Sequence, residues 1–527
     1  MESLRNNFEL LLGLLLLALA FATLARRVQL PYPILLVVGG LILALVPGLP
    51  EVRLDPELVL LLFLPALLYG DAWDTSWRDF RANLRPISLL AFGLVFVTTA
   101  VVAVVAHWAV PGLPWAAGFA LGAILSPTDA IASAAIAQRL RLPHRVVTII
   151  QGESLVNDAS GLVAYQVALG ALVTGAFSLH HAVLSLLWLA GGGIGLGLAA
   201  GWVIIRLSRL LPDPTLGVVF SLLCPYLAFF PAETLHASGV LAVVAAGLYV
   251  GRASPTLLDS ESRLTGRAVW ESVEFVVNGL LFVLLGLQLR TVLSGLQDGG
   301  VGVGPALRAG LVVALAVMLV RILWVFPATS LPRWLSRKVR ANDPMPSWRV
   351  IAVLSWSGLR GAVSLAIALS LPTTLPSGAP FPFRAELLFI AFVTVIVTLL
   401  GQGLTLPPLI RVLGVKDDGR VDRETRAAQL AVAKAGAVKA DALVDSDWVP
   451  RHRVERLRDS LRERHQHLEA NEKPGSGQGE GYRRVVREIL QEQRAEILRL
   501  RDSGEIGDDA MRAVERDLDL EEARLSS

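Results

Sequence analysis

Long apolar segments run almost back to back along the chain from Phe8 to Leu413, and short polar loops separate them. Each segment has about 20 residues, enough for a helix to cross a hydrocarbon layer of about 30 Å. The boundaries can be drawn to within a few residues, and they give about 13 segments. The pattern therefore predicts an all-α membrane protein with about 13 transmembrane helices.

The composition agrees with this prediction and excludes several classes of function. Of the 527 residues, 54% are hydrophobic and only 18% are charged, too few to cover a soluble protein of this size. The net charge of +3 comes without an aromatic-interleaved basic patch, so we expect no nucleic-acid partner. The single cysteine, Cys224, excludes an intrachain disulfide. We find no P-loop, clustered His/Cys motif or nucleophile elbow, and expect neither an enzyme nor a cofactor.

Positive charge alternates between the loops and predicts the orientation. Arginines concentrate in every second loop, for example at Arg26 and Arg27 and between Arg139 and Arg145. Because Lys and Arg accumulate on the cytoplasmic side, we expect the N-terminus outside and the C-terminus inside. Arg26 and Arg27 also stand where a signal peptide would have its cleavage site, so the first segment reads as a span of a multi-pass plasma (inner) membrane protein.

The character of the chain changes after Leu413, which predicts a transmembrane domain over 1–413 and a cytoplasmic tail over 414–527. The tail is rich in Arg and Glu and has helical runs at Glu455–Leu468 and Tyr482–Leu500. The stretch Lys473–Gly479 (KPGSGQG) predicts a flexible break. Either the tail is a solvated charged helical segment, or it serves regulation or dimer contacts.

Two predicted spans are interrupted near their middle. One, from about Trp115 to Ala137, contains Ser126-Pro127-Thr128-Asp129, where proline removes a helical donor. The other, from about Arg349 to Leu371, contains two glycines around Arg360. They are the fifth and twelfth spans by count and run in opposite directions, the pattern of an inverted-repeat transporter with a midplane site. Asp129 and Arg360 can neutralise the partial charges at the ends of the half-helices. Alternatively, each break is a packing kink whose charged side chain snorkels to the interface.

The sixth span is expected to act together with the two interrupted spans. It contains Asn157-Asp158 in an apolar stretch from Val146 to Val173. At 1.5 Å per residue, Asp158 lies about 18 Å from the start of the span, close to the bilayer centre. A carboxylate at this depth is costly and indicates a cation or proton site. Ser154 shares a helix face with Asp158, and the opened backbone near Thr128 can add oxygens that a monovalent cation such as Na⁺ prefers.

Glu153 is a second carboxylate in the same span and needs a partner. Arg321, in the span from about Pro305 to Phe326, lies at a compatible depth once the length of its side chain is considered. We therefore expect a buried, structural Glu153–Arg321 ion pair. The alternative is that Arg321 snorkels to the cytoplasmic interface.

With these residues in place, the chain resembles the sodium/proton antiporters of the NhaP/NHE type. The resemblance covers about Leu10 to Val412 and is carried by four ordered motifs. They are GESLVNDASGLVAY (Gly152–Tyr165), SPTDAIA (Ser126–Ala132), VNGLLFVLLGLQL (Val277–Leu289) and GLRGAVSLAIALSLP (Gly358–Pro372). The resemblance implies a core domain that moves against a dimerisation domain, electroneutral exchange and a homodimer.

The resemblance also implies roles for individual residues. Asp158 would bind the ion and the proton, Thr128 and Ser154 would contribute oxygens to Na⁺, and Asn157 would hold the opened fifth helix near Asp129. Glu153 and Arg321 would correspond to a family ion pair, and Arg360 would lie in the opened twelfth helix.

The third span departs from the family pattern. It reads Leu64-Pro65-Ala66-Leu67-Leu68-Tyr69-Gly70, with the carboxylate of Asp71 one position late. Asp71 is therefore either a further ligand or a simple loop residue.

The sequence thus predicts a secondary antiporter in the lipid bilayer that exchanges cytoplasmic Na⁺, and also Li⁺, for external H⁺ in sodium and pH homeostasis. A K⁺/H⁺ antiporter on the same scaffold is the nearest alternative, because selectivity depends on ligand geometry finer than a sequence shows. A membrane-anchored sensor acting through the tail is a more distant one, and it leaves the midplane residues without a purpose.

Overall fold

The fold is described by a computed structural model of residues 2–28, 31–47, 57, 59–174, 179–211, 213–375, 378–444, 450–469, 478–503 and a few isolated positions between 505 and 522. Over these residues the regular structure is helical, apart from one isolated bridge between Thr374 and Pro380. The chain divides into two compact units, Met1–Asp418 and Gly419–Ser527.

The first unit consists of apolar helices with two short charged ones, Trp77–Ala82 and Arg337–Asn342. In its first half these are α1 (Glu2–Val28), α2 (Tyr32–Ala44), α3 (Leu64–Asp74), α4 (Trp77–Ala82), α5 (Leu84–Ser88), α6 (Val95–Ala109), α7 (Trp115–Leu125), α8 (Ala130–Arg139) and α9 (His144–Thr174). In its second half they are α10 (Leu179–Ser208), α11 (Pro214–Thr234), α12 (Gly239–Leu257), α13 (Ser260–Asp298), α14 (Val303–Leu335), α15 (Arg337–Asn342), α16 (Trp348–Trp356), α17 (Ala362–Leu369), α18 (Arg384–Ile396) and α19 (Gly403–Leu413).

Wider π-helical turns join some of these pieces into longer spans. They lie at Val59–Phe63 before α3, at Leu89–Leu94 between α5 and α6, and at Val397–Gln402 between α18 and α19. Nine stretches of the described residues are long and apolar enough to cross a membrane, and Leu12–Ala25 and Tyr32–Ala44 are shorter apolar helices. The predicted all-helical, multi-pass class is therefore confirmed, whereas the count of about 13 stays a prediction.

Small residues let the apolar helices approach closely. A Cβ on Gly40 of α2 would lie 3.0 Å from the Cα of Gly286 in α13, and one on Gly286 would lie 2.6 Å from the backbone nitrogen of Leu41. Likewise, a Cβ on Gly122 of α7 would lie 2.7 Å from the Cα of Thr99 in α6. Such contacts are typical of helices packed in a membrane, where apolar burial drives no association.

The described residues of the second unit form three charged helices, α20 (Arg420–Leu443), α21 (Arg451–Glu469) and α22 (Gln478–Asp502). The two predicted helical runs fall within α21 and α22, and α20 is an additional helix that we did not predict. The predicted break at 473–479 lies mostly outside the described residues, and its last two positions, Gln478 and Gly479, are helical instead. Helix continues there because α22 is rich in good helix formers.

Candidate functional site

The fifth predicted span is opened between α7 and α8. Pro127 lies in the gap, where it has no N–H to continue the ladder of α7. Asp129 is the N-cap of α8, and its Oδ1 accepts a hydrogen bond from the backbone N–H of Ile131 at 2.8 Å. The carboxylate thus lies at the positive end of the half-helix, as the sequence predicted.

The twelfth predicted span is opened between α16 and α17, and it crosses the first opening. Arg360, fully buried in this second gap, donates from Nη1 to the carbonyls of Ser126 and Pro127 at 2.8 and 2.9 Å. The guanidinium therefore caps the negative end of α7 in the other broken span. The Asp129 N–H donates to the Leu359 carbonyl at 2.8 Å, so a backbone hydrogen bond also joins the two openings.

Glycine is required where the two openings meet. A Cβ on Gly361 would overlap the carboxylate of Asp129, at 2.5 Å from its Cγ. Because Gly361 precedes α17, the same carboxylate lies near the positive ends of α8 and α17. The Asp129 carboxylate can therefore stabilise the helix dipoles of both broken spans.

The long, unbroken α9 fixes the first opening through two polar side chains. Asn157 donates from Nδ2 to the Thr128 hydroxyl at 2.6 Å. Ser154 donates from its hydroxyl to the Thr128 carbonyl at 2.8 Å and accepts from the Ala130 N–H at 3.2 Å. Asn157 thus binds the opened helix at Thr128, one residue before Asp129. Ser154 pairs the backbone groups of the two residues that flank Asp129.

Glu153 and Arg321 form a buried, two-pronged ion pair. Nη1 of Arg321 donates to Oε1 of Glu153, and Nη2 donates to Oε2 at 2.8 Å. Both residues are about 1% exposed. Arg321 also donates from Nε to the Leu354 carbonyl at 3.2 Å, and the Thr128 hydroxyl donates to Glu153 at 3.2 Å. The pair therefore ties α9 to α14 and to the end of α16, and the snorkelling alternative is wrong.

Asp158 lies one turn beyond Ser154 and borders a cavity of about 40 Å³. It is 8% exposed. The polar residues along this cavity are Asp71, Thr128, Asp129, Ser154, Asp158, Asn278 and Ser364. A volume of this size has room for about one to three water molecules or a small ion with part of its hydration shell.

Asp71 is the exposed carboxylate along this cavity. It lies within α3, not in a loop, and it is exposed while it borders the same cavity as Asp158. The loop alternative for Asp71 is therefore wrong. Asp71 borders the cavity because it shares one face of α3 with Leu64, Leu67 and Leu68, which also border it.

The predicted residues separate into two groups. Asp158, Ser154, Thr128, Asp129 and Asp71 border the cavity, whereas Glu153, Asn157, Arg321 and Arg360 are buried around it and bind one another or the opened backbone. Asn278 and Ser364 also border the cavity and were not predicted from the sequence, although both stand within the quoted motifs. Only the polar residue types inside apolar helices could have identified them.

The oxygens around the cavity suit a hard cation that binds and leaves. They are carboxylate, hydroxyl and amide oxygens. Within the described part of the chain, no three His, Cys, Asp or Glu side chains group closely enough to hold a resident metal ion. Broken, crossing helices around a buried carboxylate are the architecture of ion-coupled secondary transporters.

Comparison with known proteins identifies the family. Residues 13–412 match the transmembrane domain of the sodium/hydrogen exchangers. The match covers well over half of the chain, so the chain belongs to the sodium/hydrogen exchanger family. The predicted sodium/proton antiporter of the NhaP type is thereby confirmed.

Individual relatives agree with this family. A protein of Mycobacterium bovis named as a Na⁺/H⁺ exchanger is 35% identical over 511 residues, which cover 95% of this chain and 93% of that one. A sodium, potassium, lithium and rubidium/H⁺ antiporter of Bacillus pumilus is 38% identical over 388 residues, which cover 72% and 57%.

A solved structure shares the fold. The sodium proton antiporter MjNhaP1 from Methanocaldococcus jannaschii, at pH 8, superimposes with a TM-score of 0.62 at 21% identity. The superposition covers 79% of this chain and all of that one.

Proposed function

We propose that this exchanger binds Na⁺ and H⁺ in turn at Asp158 and carries one of each in opposite directions across the plasma membrane. The observation that carries the proposal is the position of Asp158, a buried carboxylate that borders a cavity together with the exposed Asp71. Ser154 and Thr128 add oxygens for the cation, and Asp129 lies within the same cavity.

The surrounding charges support an electroneutral exchange. Glu153 is paired with Arg321, and Arg360 offsets the carbonyl dipoles at the end of α7. Asp129 caps the next half-helix and Asp71 is exposed, so Asp158 is the buried acid that alternates between a proton and a cation. The two ions compete for the same oxygens. Replacing one monovalent ion by the other on a single carboxylate moves no net charge.

The remaining parts of the proposal concern architecture and orientation. We propose about 13 spans arranged as inverted repeats, a core domain that moves against a dimerisation domain, and a homodimer. The N-terminus is outside and the tail from 414 is cytoplasmic, as the arginine-rich loops indicate. Cytoplasmic Na⁺ then leaves in exchange for external H⁺, which supports sodium and pH homeostasis.

A K⁺/H⁺ exchange on the same scaffold is the second candidate. It is favoured by the name of the Bacillus pumilus relative, which includes potassium, lithium and rubidium. A cavity with room for partly hydrated ions would accept several alkali metals, because selectivity depends on how completely each ion loses its water.

Cation-induced dequenching of a proton gradient in proteoliposomes tests both candidates. Sodium, lithium, potassium and rubidium are added in turn at several pH values to the wild type, to Asp158→Asn and to Asp298→Asn. Asp298 is an exposed carboxylate at the end of α13 and serves as the matched control. We expect Asp158→Asn to abolish exchange and Asp298→Asn to leave it unchanged.

The same experiment gives clear contradicting outcomes. Exchange that persists in Asp158→Asn would remove Asp158 from the proposal. An equilibrium sodium distribution that responds to an imposed membrane potential would contradict one-for-one exchange.

A further inference from the structure

Asn278 faces the cavity from a helix that none of the predicted site residues occupies. It lies in the middle of the unbroken α13, is 6% exposed and borders the cavity together with Asp158. The two other residues of α13 that border the cavity, Leu281 and Phe282, are apolar. Asn278 is therefore the polar group that this helix presents to the ion.

The amide oxygen of Asn278 has no hydrogen-bond donor within the described part of the chain. A buried polar atom is nearly always paired, and leaving one unpaired costs free energy. The other polar residues along the cavity carry carboxylates or hydroxyls, and they are Asp71, Thr128, Asp129, Ser154, Asp158 and Ser364. Ionised carboxylates cannot donate, and the hydroxyls of Thr128 and Ser154 donate elsewhere, to Glu153 and to the Thr128 carbonyl. A cation or a water molecule bound in the cavity is therefore the natural partner of this oxygen.

We propose that the Oδ1 of Asn278 is a neutral ligand of the transported cation, either directly or through one water molecule, on the side of the cavity that α13 lines. This inference rests on the proposed exchange at Asp158 and adds a residue that distinguishes the two transported ions. An amide oxygen coordinates an alkali cation but takes up no proton at physiological pH. Asn278 therefore stabilises the cation-loaded state and leaves the proton-loaded state unaffected.

The consequence is a selective effect on the cation. Removing the oxygen raises the Na⁺ concentration at half-maximal exchange and leaves the maximal rate and its pH dependence nearly unchanged. By contrast, a residue that only packs α13 against its neighbours alters the amount of folded protein or the maximal rate. The separation of these two readouts decides between a ligand and a structural role.

The experiment compares Asn278→Leu, which has a similar shape but no oxygen, with Gln288→Leu in the same proteoliposome assay. Gln288 is also a buried amide of α13, at 1% exposure, but it does not border the cavity. We expect Asn278→Leu to raise the half-maximal Na⁺ concentration about tenfold. Gln288→Leu should leave this concentration within about twofold of the wild type.

Asn278→Asp provides the complementary test, because it keeps an oxygen at the same place and adds a negative charge. We expect it to retain the wild-type half-maximal Na⁺ concentration or lower it, and to move the pH profile of exchange upward, since the added carboxylate also binds a proton. If Asn278→Leu does not fold, Asn278→Asp decides. An unchanged half-maximal Na⁺ concentration together with an unchanged pH profile in Asn278→Asp overturns the proposal.

Two further results also overturn it. One is a wild-type Na⁺ concentration in Asn278→Leu, and the other is an equal rise in Asn278→Leu and Gln288→Leu. Both leave the exchange at Asp158 intact. Absence of exchange in the wild type, or full exchange in Asp158→Asn, would instead refute the proposed function.

Discussion

The buried pair of Glu153 and Arg321 allows a quantitative prediction about stability. Removing one partner leaves an uncompensated charge in an environment with about 1% exposure, which costs about 3–5 kcal/mol of unfolding free energy. We expect Glu153→Gln to cost more than Arg321→Met, because Glu153 left alone can take up a proton, whereas the guanidinium cannot readily lose one.

The double variant tests whether the two charges are coupled. Glu153→Gln combined with Arg321→Met removes both charges of the pair, although the Leu354 carbonyl loses its donor. We expect it to be at least about 2 kcal/mol more stable than the sum of the single effects predicts.

Unfolding by SDS in mixed micelles measures these free energies, with Arg451→Met as the control. Arg451 pairs with Glu455 on the exposed surface of α21, where an ion pair adds little stability. We expect no measurable change in the control. Strict additivity of the two buried variants would refute the reasoning, because it would mean that neither charge senses the loss of the other.

The remaining predictions concern the ion site and one charge cluster outside the spans. Gly361→Ala should abolish exchange in folded protein, because the added Cβ overlaps the carboxylate of Asp129, whereas Gly191→Ala, with nothing within 4 Å, should transport normally in the proteoliposome assay. Burial raises the pKa of Asp343, but hydrogen bonds and charge from Arg145 and Arg333 hold that pKa below its usual range. A depressed pKa gives stability above the unfolded pKa of about 3.9 that is lost as the pH falls through the folded pKa. The difference in melting temperature between the wild type and Asp343→Asn should therefore stay constant from about pH 5 to 8 and shrink below about pH 4. A difference that changes between about pH 6 and 8 would contradict this.

The hydrophobic pattern predicted the helical class well because each span must be long and apolar enough for a bilayer. Both interrupted spans opened where proline and glycine had indicated. The predicted ends of the helices were less accurate. Helix α14 covers Val303–Leu335 and runs well past its predicted end at Phe326. Charged residues near a helix end cost little, so the sequence does not mark the point at which helix stops.

The contacts within the site were predictable where helical spacing or a shared depth in the bilayer decides them, as for the Glu153–Arg321 pair. Ser154 and Asp158 lie four residues apart and both border the cavity. Arg360 instead binds carbonyls of the other broken span, and no spacing within its own segment predicts that contact. Asn278 was not predicted for the same reason, because its importance depends on which side of α13 meets the cavity.

The hydrogen bonds from Arg360 to Ser126 and Pro127 join residues that are 234 and 233 positions apart. A ribosome adding about 5–20 residues per second releases the donor roughly 10–50 s after the acceptors. Throughout that interval the two carbonyls wait in the nascent chain without their arginine. Proteins truncated before position 360 should therefore be preferred substrates for membrane proteases that survey unfinished products.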